Sequence, residues 1–130
     1  MVTKIILDTN FLLIPFTLKV DIFEEIRRII HDQYHISIID KTLDELKDIM
    51  ENQTGKNKQA AKFALAIIAK KRPHMIITGK NNNNVDMEII NLLKNHDYII
   101  ATQDKELKAL LKKLNKKIIV LRQKTHLAII

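Results

Sequence analysis

Short apolar runs alternate with amphipathic segments along the whole chain, and this alternation constrains the fold more than any other feature. The runs are Lys4–Leu7, Ile36–Ile39, His74–Thr78, Tyr98–Ala101 and Lys117–Leu121. A strand apolar on both faces must be covered on both, and helices placed between strands supply that cover. The intervening segments read as helices. Ile22, Phe23, Ile26, Ile29 and Ile30 recur at helical spacing behind Asp21, and Leu43, Leu46, Ile49 and Met50 do so behind Asp40 and Thr42. Glu51–Asn57 reads as a break at Gly55, followed by a helix from Lys58 to Lys71 that Pro73 ends. Helices over Val85–Asn95 and Lys105–Asn115 complete the series. The pattern predicts one α/β domain over residues 1–130, three-layered (α/β/α), with a central, mostly parallel five-stranded sheet.

Composition narrows the chemistry. The chain has 130 residues and no cysteine, which excludes thiolate nucleophiles, Cys-based zinc sites and disulfide scaffolds. Only two glycines are present, so no glycine-rich phosphate loop can form. No window approaches the length of a membrane span, and a soluble, cytoplasmic protein is expected. None of the five histidines shows paired metal-ligand spacing. The net charge of +7 is uneven: Lys56–Lys80 holds no acid, and Lys105–Lys124 holds Glu106 alone among its lysines and arginine. These stretches read either as solvated helix faces or as a basic rim for a polyanion.

The carboxylates carry the chemical argument. In open α/β sheets, ligands gather beyond the C-terminal ends of the strands. Asp8 ends the first run, and Asp104 follows the fourth by three residues. Each has a plain structural reading, as an Asx-turn and as a helix cap. Asp104, however, heads the stripe Leu107, Leu111 and Leu114, and Asp86 heads Ile89, Ile90 and Leu93. Both therefore sit on the apolar side of their helices. A charge facing the sheet needs compensation that a helix dipole cannot supply alone. A shared cation is the economical explanation. Glu45 flanks its helix's apolar stripe and is placed to join them, while Asp44 and Asp48 read as solvated. An all-oxygen donor set favours Mg²⁺ or Mn²⁺.

Taken together, these motifs resemble the PIN domain (PilT N-terminus-like) nuclease family. The likeness rests on Ile5-Ile6-Leu7-Asp8-Thr9-Asn10-Phe11-Leu12, Leu43-Asp44-Glu45-Leu46, Val85-Asp86-Met87-Glu88-Ile89-Ile90 and Ala101-Thr102-Gln103-Asp104. It implies Mg²⁺- or Mn²⁺-dependent endoribonuclease activity with Asp8, Glu45, Asp86 and Asp104 as the acidic quartet. By the same likeness Asp8, Asp86 and Asp104 are metal ligands, and Thr9, Asn10 and Thr102 support the site. Met87 stands where some relatives carry a second acid, with Glu88 next to it. Within the family, the compact chain and the closing Val120–Lys124 segment resemble archaeal relatives of ribosomal-RNA-processing PIN proteins more than VapC toxins.

An RNA backbone would be gripped by Lys105, Lys108, Arg122 and Lys124 on the basic segments. Three alternatives stand beside this reading. One is a PIN-like module that binds RNA or a ribosome-assembly intermediate without cutting. Another is a VapC-type toxin ribonuclease paired with an antitoxin. The third is a phosphotransfer α/β domain, either receiver-like or dehalogenase-like, for which Asn10 and the Val2-Thr3-Lys4 start are poor matches. A homodimer is a further expectation from look-alikes.

Overall fold

The computed structural model describes residues 2–130 and shows a three-layered α/β protein. Six strands form one sheet: β1 (Val2–Leu7), β2 (Gln33–Ile39), β3 (His74–Ile76), β4 (Ile99–Ala101), β5 (Ile118–Arg122) and β6 (His126–Ile129). Their order is β3-β2-β1-β4-β5-β6, and every pairing is parallel except β5 with β6. The expected five strands are all present, and β6 is the addition. β2 begins three residues earlier than the apolar run suggests. β3 stops at Ile76 because Thr78 turns its backbone N–H and hydroxyl to the Asp40 carboxylate, at 3.1 and 2.6 Å.

β6 has a physical reason for escaping the sequence pattern. Its hairpin turns through Gln123 and Lys124, both at positive φ (53° and 59°), closed by the Thr125 N–H on the Arg122 carbonyl at 3.0 Å. Such turns normally announce themselves with Asn-Gly or Asp-Gly, and this one contains no glycine. The outer edge of β6 is not left open. Glu25 accepts the Leu127 N–H at 2.9 Å, and Arg28 donates to the Leu127 carbonyl at 2.9 Å. These contacts blunt an edge that would otherwise invite another strand.

Alternation along β1 divides the core. Ile5 and Leu7 face one layer, built from α1 (Ile14–Leu18), α2 (Ile22–Ile29), α3 (Asp40–Asn52) and α4 (Gly55–Lys71). Ile6 faces the other, built from α5 (Val85–Leu93) and α6 (Lys105–Lys113). A 3-10 turn at Thr9–Leu13 and the short α1 that follows have no periodic signature in the sequence. The break expected over Glu51–Asn57 shrinks to Gln53 and Thr54, since α3 runs to Asn52 and α4 starts at Gly55 (φ 66°). The Leu7–Ala101 pairing brings the C-terminal ends of β1 and β4 level, and β5, paired there through Ile119, runs three residues further to Arg122. β1 is flanked by β2 and β4, so the strand order reverses between β1 and β4 at this edge. A receiver-type sheet flanks its first strand differently, by the second and third, which removes that alternative.

Candidate active site

The reversal point is where the acids gather. Asp8 leaves β1 with its N–H on the Ala101 carbonyl of β4 at 2.9 Å. The residue is only 3% exposed. Oδ1 accepts the Thr9 N–H at 2.9 Å, and Oδ2 accepts the Thr102 hydroxyl at 2.6 Å. The hydroxyl of Thr9 lies 3.2 Å from that of Thr42, which is fully buried at the start of α3. Asn10 ties the 3-10 turn to the β4–α6 loop: its Oδ1 accepts the Gln103 N–H at 3.2 Å, and its carbonyl accepts Gln103 Nε2 at 3.4 Å. Thr102 also accepts the Asp104 N–H at 3.0 Å. Asn10 and Thr102 therefore knit the Asp8 and Asp104 segments into one frame, and Thr9 ties that frame to α3.

Asp104 is the N-cap of α6 and accepts the Leu107 N–H at 3.0 Å. The cap and the site are compatible roles, because the second carboxylate oxygen remains free of that bond. Glu45 is fixed on α3 beside the fully buried Leu46, and its Oε2 accepts the Val85 N–H at the start of α5 over a long 3.4 Å. Asn84 caps α5 through the Met87 N–H at 2.9 Å, which sets Asp86 in the helix's first turn. Asp44 and Asp48 are exposed, as expected.

Asp8, Glu45, Asp86 and Asp104 line one cleft of about 260 Å³, together with Thr9, Asn10, Asn84, Leu13 and Ile49. No lysine or arginine among the described residues lines it. The electrostatic consequence is direct. Burial pushes the Asp8 carboxyl up to about 6, and the nearby Asp86 and Glu45 charges add to the shift, against the hydrogen bonds from Thr102 and Thr9. Burial likewise raises Asp86, with Asp104, Glu45 and Glu106 pushing the same way. Asp8 and Asp86 are thus held above the ordinary carboxylate range, and no basic side chain lining the cleft relieves them.

The donor chemistry suits a hard divalent cation, since every carboxylate donor is oxygen and no basic side chain lines the cleft. Among the described residues no three Asp, Glu or His side chains meet closely enough to hold one ion directly. Direct ligation by Asp8, Asp86 and Asp104 together therefore requires the half-buried Asp86 and Asp104 to turn inward. The alternative is water-bridged binding, the usual habit of Mg²⁺.

Glu88 does not stand in for the absent second acid at Met87. It is buried away from the cleft, where it pairs with Lys41 Nζ at 3.2 Å and accepts from Asn83 Nδ2 at 2.9 Å. The basic residues fall outside the cleft. Lys105 is exposed and Lys108 half-buried on α6, and Arg122 and Lys124 are exposed at the β5–β6 hairpin, beyond the same edge of the sheet. Asn84 and Gln103 join the site without a sequence signal that marks them for it. The Asn81–Asn84 run signals a cap but not that the cap lines a cleft.

Comparison with known proteins agrees with this fold. The PIN like domain family matches residues 5–124. Ribonuclease VapC4 of Methanocaldococcus jannaschii is 35% identical over 129 residues, covering 97% of this chain and 95% of its own length. Among solved structures, the PIN domain endonuclease Utp24 superimposes with a TM-score of 0.78 at 21% identity, over 97% of this chain and 90% of its own. A domain of a functionally unknown protein from M. jannaschii gives a TM-score of 0.59 at 15% identity, over 92% and 91% of the two chains. With its carboxylates at the sheet's reversal point and a family match across nearly its whole length, the chain belongs to the PIN-like domain family.

Proposed function

We propose that this protein is a Mg²⁺- or Mn²⁺-dependent endoribonuclease whose catalytic quartet is Asp8, Glu45, Asp86 and Asp104. The observation that carries the reading is that four carboxylates from separate segments line one cleft with no protein cation, where Asp8 and Asp86 are pushed above the ordinary carboxylate range. Evolution tolerates such strain at functional sites, where a bound ligand relieves it. When bound, a divalent cation supplies an acidified water and charge stabilisation at the phosphate. Asp8, Asp86 and Asp104 would hold it, in part through water, and Glu45 would either join them through water or orient the attacking water. Thr102 and Asn10 keep Asp8 and Asp104 in register. Lys105, Lys108, Arg122 and Lys124 grip the RNA backbone beside the cut.

The likeness to Ribonuclease VapC4 favours a toxin-type ribonuclease with an antitoxin partner over the ribosomal-RNA-processing role suggested by the closing Val120–Lys124 segment. The test is calorimetric titration of Mn²⁺ into the wild type, Asp8→Asn and Asp86→Asn, followed by RNA cleavage with and without chelator. Saturable binding and cleavage that both variants abolish support the reading. Cleavage that persists in chelator, or in both variants, refutes it.

A further inference from the structure

Lys41 sits at the head of α3, one helical turn before Glu45, with its side chain only 14% exposed. Its ammonium donates to Glu88 Oε2 at 3.2 Å, to the Asn83 carbonyl at 2.9 Å and to Asn81 Oδ1. Three donors thus meet three acceptors. Two of the acceptors belong to the loop between β3 and α5, and the third belongs to α5 itself. Glu88, 5% exposed, closes the network by accepting from Asn83 Nδ2 at 2.9 Å. Asp40 anchors the loop's beginning by accepting both the N–H and the hydroxyl of Thr78.

The loop tied down in this way delivers Asn84 and Asp86 to the cleft. α3 therefore grips the start of α5 at two points one turn apart. Glu45 does so at the Val85 N–H, and Lys41 does so from the Glu88 side. A buried ion pair is poor evidence for stability, because an apolar pair of similar volume often serves as well. An apolar pair cannot, however, fix the path of a polar loop through Asn81 and Asn83.

We propose that Lys41 is a positioning residue: through Glu88, Asn81 and Asn83 it sets Asp86 opposite Asp8 and Glu45. This rests on the metal-dependent reading of the cleft and adds to it the residue that preorganises the α5 carboxylate. Partners of this kind behind metal-binding side chains characteristically govern affinity by about 10- to 100-fold.

The test compares wild type with Lys41→Met/Glu88→Leu and with Asn81→Ala/Asn83→Ala. The first replaces the ion pair by apolar bulk, and the second leaves the pair and deletes only the loop's side-chain ties. Thermal unfolding, Mn²⁺ affinity by calorimetry, amide exchange over residues 81–88, and kcat and KM on RNA are read for each. The expected result is near-wild-type melting with Mn²⁺ affinity lower by about 10-fold or more, faster exchange over the loop, and a fall in kcat with KM unchanged. Wild-type affinity and exchange in both variants would overturn the proposal. If the first variant does not fold, the second decides alone. If the wild type binds no Mn²⁺, the reading of the cleft fails, and unaltered loop exchange in the second variant would overturn the positioning role of Lys41 independently.

Discussion

Asp8→Asn should make the metal-free protein more stable, a result opposite to that of most buried substitutions. The wild-type carboxyl titrates near 6 in the folded protein, against 3.8 for the free side chain. That difference corresponds to about 3 kcal/mol of disfavoured ionisation. Between these two values the native state holds more protons than the unfolded chain, so stability falls as pH rises through the window and stays low above about 6. Asparagine removes the charge and keeps the shape. Its carbonyl can accept the Thr9 N–H while its amide donates to Thr102, whose hydroxyl can then turn to Asn10 Oδ1, 3.5 Å away. Weaker, uncharged hydrogen bonds give back about 1 kcal/mol. The net gain is about 2 kcal/mol at about pH 8, or about 7 °C in Tm for a domain of this size. Near pH 4 most of that gain should vanish, because the wild-type carboxyl is then largely protonated. Thermal unfolding of both proteins in chelator at the two pH values is the assay. Saturating Mn²⁺ should invert the order, raising the wild type by about 2.7 kcal/mol at a hundredfold excess over Kd and leaving the variant unmoved. Equal destabilisation of the variant at both pH values would refute the argument, since it would mean that the charge on Asp8 is not strained.

Three further outcomes follow from the same structure. Glu88 is held down to about 2 by the Asn83 hydrogen bond and by Lys41, so its contribution is present above 4.5 and disappears as pH falls through about 2. Glu88→Gln should cost about 2 kcal/mol in urea unfolding near neutral pH and much less near pH 2. In the β5–β6 hairpin, Gln123→Asn with Lys124→Gly should raise stability by about 1–2 kcal/mol, because glycine and asparagine tolerate positive φ that Gln and Lys adopt at a cost. Unchanged or lower Tm would count against that turn geometry. Neutralising Lys105, Lys108, Arg122 or Lys124 singly should weaken binding to single-stranded RNA and flatten the slope of log K against log salt by about 0.7 for each phosphate no longer neutralised. A residue whose removal leaves the slope unchanged does not touch the backbone.

The parts of the fold legible in the sequence are those where burial on both faces forces a continuous apolar run. Ile5–Leu7 and Ile118–Val120 are buried strands because no other element of that length can hide such a run. The candidate site is legible for a related reason. Asp86 and Asp104 head apolar helix stripes, and charge at such positions is expensive enough to be kept only for use. What stays illegible depends on contacts that span the chain. Nothing local marks Thr42 as the partner of Thr9, or Lys41 as the partner of Glu88, because each pair meets only after α3 docks on the sheet. β6 is hidden by a turn whose strained φ values are enforced by the strands it joins rather than by its own residues.

The two kinds of carboxylate in this molecule show why position within the network decides their use. Glu88 and Asp86 lie two residues apart on α5, and both leave bulk water on folding. Glu88 meets an ammonium and an amide, so its charge is stabilised and its chemistry is spent on structure. Asp86 is partly buried and the charges near it are those of other acids, so its charge is destabilised, and on the proposed reading a cation from outside relieves it. Separating them on one short helix requires that its first turn be held firmly, with one face toward Lys41 and the other toward the cleft. The cost of the acidic cleft is thereby balanced within a single loop and helix, by a satisfied carboxylate beside an unsatisfied one. Removing the satisfied pair should loosen the very turn that keeps the other carboxylate under strain, which would lower metal affinity before it lowered the melting temperature.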